Sequence, residues 1–139
     1  DYNISKTEAY NHIYGFAIGL DMTRRDLQWK AKENGKPWEI GKAFEHSAPI
    51  GMITPIEKSG KMEEGSISLK VNDKIKQKGN LNMMIWKIPN IIEYLSKFNK
   101  LNAGDLIMTG TPSGVGAVKK GDKLEANIDN LQKLELLVE

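Results

Sequence analysis

The chain has 139 residues, enough for one domain able to bury about two thirds of the surface its unfolded form exposes. It carries 20 basic and 18 acidic residues, a formal charge of +2, with 40% hydrophobic residues and no cysteine. This excludes a disulfide framework, a thiolate zinc site and a disordered chain, and the clustered basic excess of a nucleic-acid module is absent. No apolar run approaches the roughly 18 residues of a membrane helix, and residues 1–12 do not resemble a signal peptide. The expected setting is soluble, reducing and cytoplasmic, with neither nucleic acid nor membrane as a partner.

Ser5-Lys6-Thr7-Glu8 fits a capping box and predicts a helix that Gly15 ends. The apolar run 16–20 then reads as a short buried strand, with Asp21 at its end, where a side chain can leave the sheet and face a cleft. Thr23 or Asp26 is placed to cap a helix over 24–33, closed by Asn34-Gly35-Lys36-Pro37. A strand over 50–56 is interrupted by Pro55. Residues 66–71 alternate, with Ile67, Leu69 and Val71 on one face, and Asn72-Asp73 reads as a hairpin turn into 74–77. Pro89 opens the clearest helix, 89–98, whose stripe is Ile88, Ile91, Ile92, Leu95 and Phe98. A short buried strand at 106–108 and a terminal hairpin of 123–128 with 132–138 complete the chain. Strands do not alternate with crossover helices, so the fold class is α+β, predominantly β, a roll rather than a doubly wound sheet.

Three stretches are denser in chemistry than a plain domain needs. In the first, Asp21, Arg25 and Gln28 lie four and three residues apart, and a helical turn after Asp21 puts them on one side. An acid, a guanidinium and an amide suit a hard cation and a carboxylate substrate; the plainer alternative is an Asp–Arg pair on a solvated helix face. In the second, Lys42 sits between Ile40 and Phe44, either partly buried and aimed at an anion or snorkelling into water. In the third, residues 104–116 form a loop rich in hydroxyls and glycines, able to offer backbone N–H groups to an anion or simply to turn the chain. It lacks the Gly-Lys-Ser/Thr of a Walker loop. Glu45-His46-Ser47 invites a catalytic-triad reading, but no nucleophile elbow surrounds Ser47. His12 reads as a surface residue, and Met83-Met84-Ile85-Trp86 as core.

In order, Asp21 followed by Arg24-Arg25-Asp26-Leu27-Gln28, Gly35-Lys36-Pro37-Trp38 with Lys42-Ala43-Phe44, Val71-Asn72-Asp73, Gly79-Asn80, Pro89 and Thr109-Gly110-Thr111-Pro112-Ser113-Gly114-Val115-Gly116 resemble the fumarylacetoacetate hydrolase family. The match runs from about Ile4 to Val138 and points to the acylpyruvate hydrolase and oxaloacetate decarboxylase branch. The resemblance implies a mixed β-roll, a homodimer, and a cleft with a divalent metal, Mg²⁺ or else Mn²⁺ or Ca²⁺. The metal is held by two Glu and one Asp, which falls on Asp21. The resemblance assigns substrate binding to Arg25, Gln28, Lys42, Gly110 and Thr111, with Lys42 also catalytic, beside the metal and substrate oxygens. Substrates are 2-keto or 1,3-dicarbonyl acids, and a metal-stabilised enolate serves hydrolysis, decarboxylation and tautomerisation alike.

Two departures stand out. The family's Glu-x-Glu strand and its upstream His and Glu acid–base pair precede the region where these residues begin, and no Glu-x-Glu occurs here. Residues 1–139 are therefore expected to be a single catalytic-type domain lacking its N-terminal part, the C-terminal two thirds of a family member. The alternative is a non-catalytic fragment or interaction subunit that keeps the fold without a complete metal site. The second departure is Leu81, where many relatives have Thr.

Overall fold

The computed structural model describes residues 1–139 and divides them between two antiparallel sheets and four short α-helices. Strands β1 (Gly15–Phe16) and β2 (Thr54–Pro55) form the small sheet. Strands β3 (Ser66–Val71), β4 (Lys74–Asn80), β5 (Lys123–Ile128) and β6 (Leu134–Leu137) form the large one, in the order β4-β3-β5-β6. The helices are α1 (Arg25–Glu33), α2 (Glu39–Lys42), α3 (Ile56–Ser59) and α4 (Ile88–Ser96). The fold class is α+β as expected, and every strand pairing is antiparallel. No helix is long and apolar enough to cross a membrane.

The hairpin of β3 and β4 forms for the expected reason. Asn72 and Asp73 take φ of 49° and 63°. Two successive left-handed residues make a turn whose twist suits the flanking strands, and Asn and Asp tolerate that conformation. The Asn72 side chain also ties the turn to β5, donating to Asp122 Oδ1 (2.7 Å) and accepting from the Lys123 N–H (2.9 Å). The Lys119 N–H and this Asn72 contact hold the Asp122 carboxyl below its ordinary range. In the ladder Lys70 faces Ile75 and Leu69 faces Gln77, so Lys76 is an extra residue and β4 bulges there.

Across β3, β5 and β6 a chain of ion pairs covers one face. Lys133 reaches Glu125 at 2.8 Å and Glu135 at 2.6 Å, and Lys70 reaches Glu125 at 3.3 Å. The hydrogen bond from Lys133, with a smaller contribution from Lys70, holds the Glu125 carboxyl down to about 2. A depressed carboxyl stabilises the fold fully above its unfolded value of 4.5, and this is lost as pH falls toward about 2. Lys133→Met is therefore expected to raise the midpoint of acid unfolding. Circular dichroism of the variant and parent across that window checks this, and identical midpoints would mean that the pairs contribute nothing.

Four expectations are corrected. Residues 5–8 form no capping box: Ser5 Oγ meets Thr7 Oγ1 (2.9 Å), Glu8 bonds Asn11 (2.7 Å), and only a 3-10 turn, Ala9–His12, follows. Gly15 then belongs to β1 rather than ending a helix. The strand expected over 50–56 is reduced to β2 plus an isolated bridge at Ile50, and Ile56 already opens α3. Residues 106–108 are not a strand. Residues 106–110 make no backbone hydrogen bond, because no neighbouring segment lies in register with them, and Leu106 is 60% exposed.

Helix α4 starts one residue before Pro89, ends at Ser96, and packs against Ile4 and Ala9 through Ile92. Ser96 is fully buried because its hydroxyl receives the Ile4 N–H (2.9 Å) and donates to the Glu93 carbonyl (3.1 Å). The stripe expected to run on to Phe98 stops short, and that ring is 67% exposed, edge-on to Tyr94. Tyr94 in turn meets Trp86 edge-on, so Trp86, expected in the core, belongs to an exposed aromatic row. Only 13 residues are buried, and the accessible surface is 9758 Å², against about 7,200 Å² for a compact monomer of this mass.

Candidate active site

Residues 18–22 run antiparallel to 47–51. The Gly51 N–H donates to the Ile18 carbonyl (2.9 Å), Leu20 to Pro49 (3.0 Å) and Met22 to Ser47 (2.9 Å). The strand expected over 16–20 is thus a longer, irregular ladder in which Ile18 is buried. Bonding at every second residue turns the Gly19 and Asp21 N–H groups to the opposite edge. Asp21 lies just before the last bond of this ladder, at Met22, after which the chain winds into α1.

Neither Thr23 nor Asp26 caps α1, whose preceding residue, Arg24, offers no side-chain cap. Instead the Arg24 N–H donates to the Gly41 carbonyl (2.9 Å), and the Arg24 guanidinium lies over the Phe44 ring at 4.3 Å. Gly41 is buried against α1, and a Cβ there would stand 2.9 Å from the Gln28 nitrogen. Only a residue without a side chain lets α2 come this close to α1. The close approach delivers Lys42, the last residue of α2, to Asp21.

Lys42 Nζ donates to Asp21 Oδ1 (2.5 Å) and to Thr23 Oγ1 (2.9 Å). The Lys42 side chain is 30% exposed and that of Asp21 41%, so the group sits at the surface, partly shielded from water. Asp21 and Thr23 share a face because extended backbone alternates sides. Arg25 does not pair with Asp21. Arg25 Nη1 donates to Gln28 Oε1 (2.6 Å), leaving the other guanidinium donors free. The Asp–Arg surface pair weighed as the plainer alternative does not form, and Lys42 does not snorkel into water.

The third stretch docks elsewhere. Gly110 and Thr111 are exposed, with Gly110 at φ 121°. The following Pro112 carbonyl accepts from Gln77 Nε2 (2.7 Å), and no hydrogen bond joins this loop to Asp21, Lys42 or Arg25. Met108, at the foot of the loop, lies against Gly19, two residues before Asp21. His46 is 91% exposed and approaches only Glu45, at 3.8 Å, so the triad reading fails. His12 pairs with Asp1 at 3.4 Å. Thr23, read from the sequence only as a helix cap, and Gln77, read only as part of the strand 74–77, are the side chains given no site role there. The two-residue spacing of Asp21 and Thr23 was a usable signal for the first, and nothing local marked the second.

No three His, Cys, Asp or Glu side chains gather anywhere in these residues. The oxygen donors Asp21 and Thr23 have the hardness Mg²⁺ or Mn²⁺ prefers. One carboxylate, already holding an ammonium, does not make a divalent-cation site by itself.

Similarity to known proteins covers the whole length. The fumarylpyruvate hydrolase of Ralstonia sp is 43% identical over 137 residues, 99% of this chain and 71% of that protein. The mitochondrial oxaloacetate tautomerase of Rattus norvegicus is 43% identical over 136 residues, 98% of this chain and 62% of that protein. The crystal structure of fumarylpyruvate hydrolase from Pseudomonas aeruginosa in complex with Mn²⁺ and pyruvate superposes with a TM-score of 0.96 at 45% identity, covering 99% of this chain and 59% of that one. The chain thus spans about 60 to 70% of the length of these relatives. The model of the fumarylacetoacetate (FAA) hydrolase C-terminal domain matches residues 2–139, and the chain belongs to that family.

Proposed function

We propose that these residues form the substrate-facing part of an enzyme acting on short 2-keto or 1,3-dicarbonyl acids, of the acylpyruvate or oxaloacetate kind. The observation that carries this is the grouping of Lys42, Asp21 and Thr23 just before α1, with the Arg25–Gln28 pair on the first turn of that helix. Two relatives named for fumarylpyruvate and oxaloacetate chemistry, and a third with Mn²⁺ and pyruvate bound, support it.

In this reading Gln28 holds the Arg25 fork, whose free N–H groups grip a substrate carboxylate in two places. The Lys42 ammonium faces the oxygen on which negative charge grows as an enolate forms. Gly110 and Thr111 receive the carboxylate end of the substrate. Asp21 is one ligand of a divalent cation, Mg²⁺ or Mn²⁺, whose remaining ligands lie outside these residues. Such an ion supplies Lewis-acid stabilisation of an enolate. The same groups serve hydrolysis, decarboxylation and tautomerisation. The reading makes the full-length protein a cytoplasmic homodimer that acts on small molecules rather than on nucleic acid or lipid.

Arg25→Lys separates this reading from a structural ion pair. An ammonium keeps the charge and loses the fork, so KM is expected to rise with a cost of about 2 kcal/mol in kcat/KM, the scale of a charge-assisted hydrogen bond. Steady-state kinetics of the full-length protein on fumarylpyruvate and oxaloacetate measure this. Turnover of neither acid by the parent protein would sink the substrate assignment, and unchanged kinetics in the variant would remove Arg25 from it.

A further inference from the structure

We propose that Gln77 is a positioning residue that holds the Gly110–Thr111 loop in its substrate-binding shape; this rests on the role given to Thr111 above. Three features of β4 converge on that loop. The bulge at Lys76 shifts the alternation of β4 by one residue, so the strand beyond it presents Gln77 where regular pairing would present its neighbour. Gln77 is buried, 9% exposed, and its amide donates to the Pro112 carbonyl at 2.7 Å, across 35 residues of sequence. The bulged residue's own carbonyl, Lys76 O, lies so close to Gly114 that a Cβ there would stand 2.1 Å away. Gly114 also holds φ at 98°, a conformation that side chains resist.

The Pro112 ring seats further along β4, over Gly79. Residues 106–110 make no backbone hydrogen bond and Thr111 is exposed, so on its N-terminal side the loop is held only by the packing of Ile107 on the Ile4–Ala9–Ile92 core and of Met108 on Gly19. The Gln77 contact falls on the residue directly after Thr111. A buried glutamine is costly unless its amide is used, which gives this one a specific task. Without the donor, the Pro112 carbonyl loses its partner and Thr111 samples more orientations before substrate arrives. That loss appears in KM and leaves groups on α1 and α2 untouched.

The test is a double-mutant cycle in the full-length, metal-loaded protein, with fumarylpyruvate as substrate. Gln77→Met keeps the shape and removes the donor, and Thr111→Val removes the hydroxyl. Each alone is expected to raise KM about tenfold, the scale of one or two neutral hydrogen bonds, with kcat and Mn²⁺ affinity little changed. In the Thr111→Val background, Gln77→Met is expected to cost less than about twofold, since a positioning residue has nothing left to position. Additive costs would mean that Gln77 acts independently of Thr111 and would overturn the proposal. So would a Thr111→Val defect beside an unaffected Gln77→Met. If Thr111→Val itself costs nothing, the reading of Thr111 is what fails. Should Gln77→Met not fold, Gln77→Glu serves: its carboxylate repels the Pro112 carbonyl near neutral pH and its protonated form donates. Its KM defect must then shrink as pH falls, relative to the parent profile, and a defect flat with pH overturns the proposal.

Discussion

Replacing Asp21 with asparagine in the full-length protein is expected to reduce turnover of fumarylpyruvate or oxaloacetate by three orders of magnitude or more, about 4 kcal/mol of transition-state stabilisation. Asparagine has the same shape and keeps one oxygen, so the ladder of residues 18–22 should survive and thermal unfolding should change little. The carboxylate charge is lost. In the structure that charge does one visible thing, which is to receive Lys42 Nζ. If the ion pair were its whole role, Lys42→Met would do equal damage and Mn²⁺ titration would be the same in both variants. The metal-ligand role predicts a split: Asp21→Asn weakens Mn²⁺ binding, whereas Lys42→Met removes a competing cation and leaves Mn²⁺ binding intact or tighter. Unchanged Mn²⁺ affinity in Asp21→Asn would end the assignment.

Sequence reasoning did best where one local rule decides the structure. Alternation over 66–71, two residues suited to positive φ at Asn72 and Asp73, and Pro89 at the start of an apolar stripe each yielded the observed element within a residue or two. It failed where an element depends on what lies beside it. Residues 106–108 have a buried strand's composition, yet a strand exists only when a neighbour supplies hydrogen bonds, and none of these residues does. The capping box failed for a related reason: Ser5 and Glu8 found closer partners in Thr7 and Asn11. In the site, Asp21, Arg25, Gln28 and Lys42 were legible as residues, but their pairing was not. Helical spacing joined Asp21 to Arg25, whereas the chain is extended at Asp21 and only then turns. The partner actually found, Lys42, is set by the close packing of α2 on α1 at Gly41, a tertiary fact with no periodic trace. Gln77 was invisible for the same reason, since its partner lies 35 residues away.

The 139 residues prepared by themselves are expected to turn over neither keto acid, to bind Mg²⁺ only in the millimolar range or weaker, and to self-associate. The first two expectations follow from ligand count. Mg²⁺ sheds its waters reluctantly and takes an octahedron of oxygens, and a single carboxylate beside an ammonium resembles an ordinary surface site of about millimolar affinity or worse. The third follows from surface. The accessible area exceeds that of a compact monomer by about 2,500 Å², three times the roughly 800 Å² that one partner contributes to a standard interface. Part of this excess is apolar: Met108, which lies against Gly19 near the site, is 47% exposed, Met52 68% and Tyr14 74%. The N–H groups of Gly19 and Asp21 and the backbone of 106–110 also have no partner, and an open edge of this kind pairs with whatever strand is offered. Calorimetric Mg²⁺ titration, an oxaloacetate assay and sedimentation velocity on this chain test all three. A monodisperse monomer would show that the exposed edge is tolerated in water. Tight Mg²⁺ binding with turnover would mean that the ligands come from within these residues, and would replace Asp21 as part of a larger set with a site complete in the chain itself.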